Sequence, residues 1–104
     1  MRDFSIIVPA FNCADQLKLL LEQLGQLDYP KEHYEIVVVN DGSSDHTAKV
    51  ASLESVRRID HKTNLGRVSA RESGAKSAKH ETLVFIDARL SISDDLLKNA
   101  KITI

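Results

Sequence analysis

The run Ile36-Val37-Val38-Val39 is apolar without a break, and all its members are β-branched. A strand with one wet face alternates polar and apolar residues, whereas a run with no polar position suits burial on both faces. That is the pattern of a strand in a parallel sheet covered by helices. Leu83-Val84-Phe85-Ile86 reads the same way. Two further β-prone runs, Phe4 to Val8 and Val56 to Ile59, bring the number of expected strands to about four. Arg57 and Arg58 side by side mark the Val56 run as an edge strand, where charge discourages further pairing.

Helical periodicity fills the intervals. Leu17, Leu20, Leu21, Leu24 and Leu27 form an i, i+3, i+4, i+7 stripe, with Asn12 as the expected N-cap and Tyr29-Pro30 as the stop. A short helix is expected from Ser44 or Asp45, carrying Ala48 and Ala51 inward. A third spans about Arg67 to Ala78, where Ala70, Gly74, Ala75 and Ala78 permit close approach to a sheet. A fourth is expected from Ser93, with Asp94 and Asp95 at the positive end of its dipole. Lys101 to Ile104 reads as the start of a fifth strand. The order βαβαβαβα predicts an α/β fold: about four parallel strands, helices on both faces, one domain over residues 1–104.

Composition narrows the function classes. With 42% hydrophobic and 28% charged residues the chain is neither disordered nor of low complexity. A net charge of -1 gives no field to draw it onto nucleic acid or an anionic membrane. No apolar run reaches the ~20 residues of a membrane span, and the passage of Met1-Arg2-Asp3-Phe4 straight into a strand-like run makes the lack of a signal peptide the expectation. The single cysteine, Cys13, excludes an intrachain disulfide and a cysteine zinc cluster, and makes a cytoplasmic location the expectation.

In an open α/β sheet, ligands bind beyond the carboxyl ends of the strands. Here those ends are Pro9-Ala10-Phe11-Asn12, Asn40-Asp41-Gly42-Ser43-Ser44-Asp45, Asp60-His61 leading to Asn64-Leu65-Gly66-Arg67, and Asp87-Ala88-Arg89. Each delivers a carboxylate or carboxamide to one edge, which points to a polar ligand or a metal. Neither a G-x-G-x-x-G nor a Walker-type loop is present, and the four histidines lack metal-site spacing. Asp45, His46, Ser43 and Ser44 lie within one turn and cannot form a nucleophilic relay.

Ser5-Ile6-Ile7-Val8-Pro9-Ala10-Phe11-Asn12 and Tyr34 to Asp45, with Asn64-Leu65-Gly66-Arg67 followed by Ala70-Arg71 and Gly74, resemble the opening of a family-2 glycosyltransferase with the GT-A fold. Leu83 to Arg89 falls where that family carries its DXD motif. The resemblance implies a Rossmann-like half-domain that binds a nucleotide-sugar donor, a UDP-sugar above all, for an inverting transfer. It implies that the segment Pro9 to Asn12 lines the base, with Pro9, Ala10 and Asn12 as its binding residues, and that Asp41 accepts from the base imide N–H. It places Asn64, Gly66, Arg67 and Arg71 beside base and diphosphate. It gives Asp87 the ribose and a share in holding Mg²⁺ or Mn²⁺. At the third DXD position stands Arg89, which cannot ligate a cation; the expectation here, which is not a family rule, is that its own charge stands near the diphosphate instead. The family's general base and acceptor segments follow the DXD motif, so the chain reads as the donor-binding half, ending soon after it. A nucleotide-binding module without turnover, or an assembly domain, remain the alternatives. The apolar strand-four edge, Thr82 to Asp87, predicts a homo-oligomer, with Lys101 to Ile104 taking part.

Overall fold

The computed structural model describes residues 2–52 and 55–88. Four strands, β1 (Phe4–Ala10), β2 (Tyr34–Asp41), β3 (Val56–His61) and β4 (Leu83–Phe85), form one parallel sheet in the order β3-β2-β1-β4. The register is continuous from Phe4 opposite Tyr34 to Ala10 opposite Asn40, and from Ile36 opposite Val56 to Asp41 opposite His61. The unbroken run of β2 is thus central and inaccessible, Val37, Val38 and Val39 being fully buried. The arginine-bearing β3 is an edge, as its charge predicts.

Among the described residues three α-helices flank the sheet: α1 (Ala14–Leu24), α2 (Thr47–Val50) and α3 (Arg67–Ser77). On one face Leu17, Leu20, Leu21 and Leu24 of α1 pack with Phe4, Ile6, Val8, Ile36 and Val38. The helix stops at Leu24, one turn earlier than the leucine stripe predicts; Leu27 stays buried beyond its end, because Gly25 breaks the helix but not the packing. The second helix begins at Thr47 rather than at Ser44 or Asp45, since Asp45 uses its carboxylate to accept from the Thr47 N–H and hydroxyl. Ala51 is fully buried beside it, while Ala48 is half-buried.

The opposite face is closed by α3. Ala70 and Gly74 are its buried positions, and a Cβ on Gly74 would lie 2.4 Å from Cγ2 of Ile7 and 3.2 Å from Cγ2 of Val39. The small residues therefore set how close this helix sits to the strands. It runs back along the sheet, starting at the carboxyl ends of the strands and finishing at their amino ends. Residues of the expected fourth helix, the Arg89 position and the Lys101 to Ile104 segment lie outside the described residues. Among the described residues β4 is the second edge of the sheet, and no helix is long and apolar enough to cross a membrane.

Candidate functional site

At the carboxyl ends of the strands the chain leaves the sheet through left-handed turns. Asn12 has φ 46°, Gly42 φ 72° and Gly66 φ 98°, and among the described residues these are all the positive values. At Gly42 the reason is steric as well as conformational: a Cβ there would stand 2.4 Å from the Thr63 carbonyl carbon. The loop after β2 consequently lies directly against the loop before α3.

Asn12 ties the first loop to the second. Its N–H donates to Oγ of Ser43 at 3.0 Å, and its side-chain oxygen accepts from the Ser44 N–H at 2.8 Å. This corrects the expectation of an N-cap. The cap position of α1 is Cys13 and no side chain of its own segment caps it; the Ala14 N–H instead donates to Asp45, 31 residues away, at 3.4 Å. A cap supplied by another loop leaves no signal in the local sequence.

Asp41 ends β2 almost fully buried, yet it lines a cleft. Its Oδ1 accepts from the Leu65 N–H at 2.9 Å and faces Nδ1 of His61 at 2.8 Å; its Oδ2 accepts from the Gly66 N–H at 3.0 Å. Burial works against ionisation, but the Leu65 N–H, His61 and the Gly66 N–H outweigh it, so the carboxyl titrates below its ordinary value. His61 in turn meets Oγ of Ser73 through Nε2 at 2.7 Å. A carboxylate offers about four acceptor positions, so one on Oδ2 is left for whatever enters the cleft. Neighbouring Asn40 stays within the protein, donating to Asp60 at 3.0 Å and accepting from the Ser43 N–H at 3.1 Å.

The cleft has a volume of about 190 Å³ and is walled by Pro9, Ala10, Asp41, Asn64, Gly66, Arg67 and Asp87. These seven are the predicted site residues that the fold brings together. Phe11, inside the Pro9 to Asn12 segment expected along the base, also lines the cleft; Cys13, Ala70 and Ala88 complete the lining and are not among the expected contacts. Phe11, 40% exposed, gives the mouth an aromatic face that a planar base can lie against. Arg71 stands apart from the main cleft. It borders an adjoining hollow with Pro9, Arg67 and Asp87, its guanidinium carbon 5.8 Å from the centre of the Phe85 ring. Asn12 lines neither space. Arg67 opens α3, and its guanidinium lies 3.6 Å from the Asp87 carboxylate, with both side chains in contact with solvent. Sequence reasoning places His61 at a strand end but gives it no role, and it misses Ser73; their link to Asp41 spans 12 and 20 residues and has no local motif.

Among the described residues no three or more histidine, cysteine, aspartate or glutamate side chains converge as a metal site. What faces the cleft from β4 is the single carboxylate of Asp87 beside Arg67. A hard cation held jointly with a diphosphate needs no more protein than one or two carboxylates, and Asp87 fits that part.

Comparison with known proteins decides the family. The model for glycosyl transferase family 2 matches residues 5–100. The chain belongs to this family. Its curated relatives include the poly(ribitol-phosphate) β-N-acetylglucosaminyltransferase TarS of Staphylococcus aureus, 34% identical over 110 residues that cover 96% of this chain and 18% of that protein. The chain thus spans less than a fifth of that relative's length. The crystal structure of residues 1–349 of TarS in complex with UDP-GlcNAc superposes with a TM-score of 0.85 at 31% identity, covering 93% of this chain and 29% of that one. The mannosyltransferase PcManGT of Pyrobaculum calidifontis, in complex with GDP-Man and Mn²⁺, gives 0.86 at 27% identity over 95% of this chain and 31% of its own. The fold is the Rossmann-like half of a GT-A glycosyltransferase, as the strand pattern and motifs lead one to expect.

Proposed function

We propose that this chain supplies the donor-binding half of an inverting glycosyltransferase and takes a UDP-sugar. The observation that carries the reading is the Asp41 carboxylate, fixed by three protein partners with one acceptor position left in a cleft walled by Pro9, Ala10, Asn64 and Gly66. A fixed, buried acceptor discriminates because a base lacking the matching donor leaves it unpaired. Uracil has one imide N–H; cytosine has none. Arg67, at the amino end of α3, adds a guanidinium fork to the positive end of the helix dipole, where a diphosphate is stabilised. Arg71 extends that cationic edge along the next turn. Asp87 faces the same space and would hold a divalent cation together with the diphosphate. That cation, Mg²⁺ or Mn²⁺, offsets charge on the departing nucleoside diphosphate when bound. TarS bound to UDP-GlcNAc and the mannosyltransferase bound with Mn²⁺ support both parts of the reading.

Titration calorimetry tests it. UDP is expected to bind more tightly than CDP, and equal affinities would remove the role given to Asp41. Binding of a UDP-sugar without transfer to any acceptor would leave a nucleotide-binding module. Self-association through the β4 edge is a separate proposal, resting on the position of that strand. Light scattering tests it, and a species of monomer mass at micromolar concentration would overturn it.

A further inference from the structure

The hydrogen-bond chain behind Asp41 has a consequence for which bases the cleft accepts. His61 is 9% and Asp41 5% exposed at the side chain, so neither exchanges its partner for water readily. An ionised carboxylate only accepts, so the His61 Nδ1 at 2.8 Å from Oδ1 must carry a proton. The hydrogen bond at one ring nitrogen fixes the role of the other: in the neutral ring, Nε2 accepts from the Ser73 hydroxyl at 2.7 Å. Proton donation therefore runs from Ser73 through His61 to Asp41. With the Leu65 N–H also on Oδ1, that oxygen has no acceptor position left, and only Oδ2 can receive a ligand.

A carboxylate with both oxygens available suits guanine, whose ring N–H and exocyclic amine form a pair of adjacent donors. One with a single position suits uracil or thymine, each presenting one imide N–H. We infer that His61, oriented by Ser73, is a specificity-positioning residue that holds Oδ1 of Asp41 turned from the cleft and so leaves one acceptor position, suited to a base with a single ring imide N–H and not to guanine's adjacent pair of donors. The inference rests on the donor-site reading above and deepens it. Neither the cleft nor the adjoining hollow is lined by His61 or Ser73, so both act on the ligand through Asp41.

Calorimetry of UDP and GDP with the unaltered chain, His61→Leu and His61→Asn tests this. The unaltered chain is expected to favour UDP over GDP by about tenfold or more, the usual effect of an unmatched buried polar group. His61→Leu removes the bond that holds Oδ1 turned from the cleft, lets the carboxylate rotate to present both oxygens, and is expected to bring the ratio close to one. His61→Asn places an amide donor where Nδ1 stands and is expected to restore the preference. A ratio unchanged in a folded His61→Leu, or lost equally in His61→Asn, would overturn the inference while UDP binding upholds the donor site. Absence of binding by either nucleotide to the unaltered chain would overturn both. Independently of any variant, nitrogen-15 NMR of the unaltered chain reads the ring directly: a protonated Nδ1 is expected, and a bare Nδ1 would overturn the assignment even where His61→Leu does not fold.

Discussion

Strand β2 carries a carboxylate near each end, Asp41 buried and Glu35 half-buried, and the two have opposite fates. Asp41 at the carboxyl end and Glu35 at the amino end lie on the same face, the one covered by α3, about 20 Å apart by strand rise. Each grips one end of that helix. Asp41 accepts from the N–H groups of Leu65 and Gly66 just before it starts; Glu35 accepts from the Lys79 N–H just after it ends, at 2.5 Å. Glu35 also accepts from the Ser5 hydroxyl at 2.5 Å and from Arg57 at 2.7 Å. Burial raises the affinity of both for a proton, and the surrounding donors reverse that, so both titrate below their ordinary values.

The difference lies in the charge environment and in the backbone around them. Asp41 faces the positive end of the α3 dipole, which favours an anion there, and has His61 beside it. Glu35 sits at the negative end and takes Arg57 as its partner. Around Asp41 the loops turn through left-handed residues and stand back from the sheet, leaving a cleft. Around Glu35 the connection from α3 to β4 comes straight down, with the His80 N–H donating to Ser5 at 3.1 Å. A carboxylate on the same strand face is a clamp at one end, as Glu35, and a clamp with an open acceptor at the other, as Asp41.

The largest effect that would break this comparison is expected from Asp41→Ala. It leaves His61 and two backbone donors without their acceptor, at a cost of about 1–3 kcal/mol of folding stability for each buried group left unpaired, and it weakens UDP binding by about 1–3 kcal/mol. Glu35→Ala is expected to cost about 1–3 kcal/mol and to leave UDP affinity unchanged where the protein is folded. Denaturant melts paired with calorimetry check both; a loss of UDP affinity in Glu35→Ala would erase the distinction between the two ends. Glycines sharpen it next. Gly42→Ala drives a Cβ into the Thr63 backbone and is expected to cost several kcal/mol, of the order seen at strained positions. At the other end Gly25 is right-handed, and a methyl carbon added there would meet nothing nearer than 3.5 Å. Gly25→Ala is therefore expected to be neutral or to stabilise by about 0.4–1 kcal/mol.

Much of this molecule is legible in its sequence, and what is not has a common cause. Continuous burial of Val37 to Val39, the α1 leucines and the small face of α3 follow from periodicity, which is local. The strand-end residues of the cleft follow from the rule that places ligands there, together with the family resemblance. Asn12 reads as a cap because capping is the usual use of asparagine before a helix; its left-handed backbone turns it to Ser44, which only tertiary structure places beside it. Glu35 looks like a surface residue in a strand, and nothing near it in sequence announces Ser5, Arg57 or Lys79. The His61–Ser73 link crosses from a strand to a helix and is invisible for the same reason.

Acid pH gives a smaller, shared effect. Both carboxyls titrate below their ordinary values of 3.8 for Asp41 and 4.5 for Glu35, so the stability they contribute is fully present above those values. It is lost as pH falls through the lowered values of the folded state. Tm is expected to decline below about pH 4.5, and Glu35→Gln is expected to flatten part of that decline. An unchanged acid limb in Glu35→Gln would show that the amino-end clamp contributes nothing to it. Smallest in stability is Arg67→Ala. An exposed side chain 3.6 Å from Asp87 contributes about 0–1 kcal/mol to folding, so its Tm is expected to stay put while UDP affinity falls. A proportionate fall in both would place Arg67 in the scaffold instead.

The central claim is that the carboxyl end of β2, and not its amino end, receives a nucleotide. A nitrogen-15 amide titration with UDP tests it most directly, because both carboxylates and their donors report in one spectrum. The predicted result is saturable shifts at Ala10, Asp41, Asn64, Gly66, Arg67 and Asp87, with Ser5, Glu35, Lys79 and His80 unmoved. A spectrum that does not change at millimolar UDP, or shifts gathered around Glu35, would contradict the account.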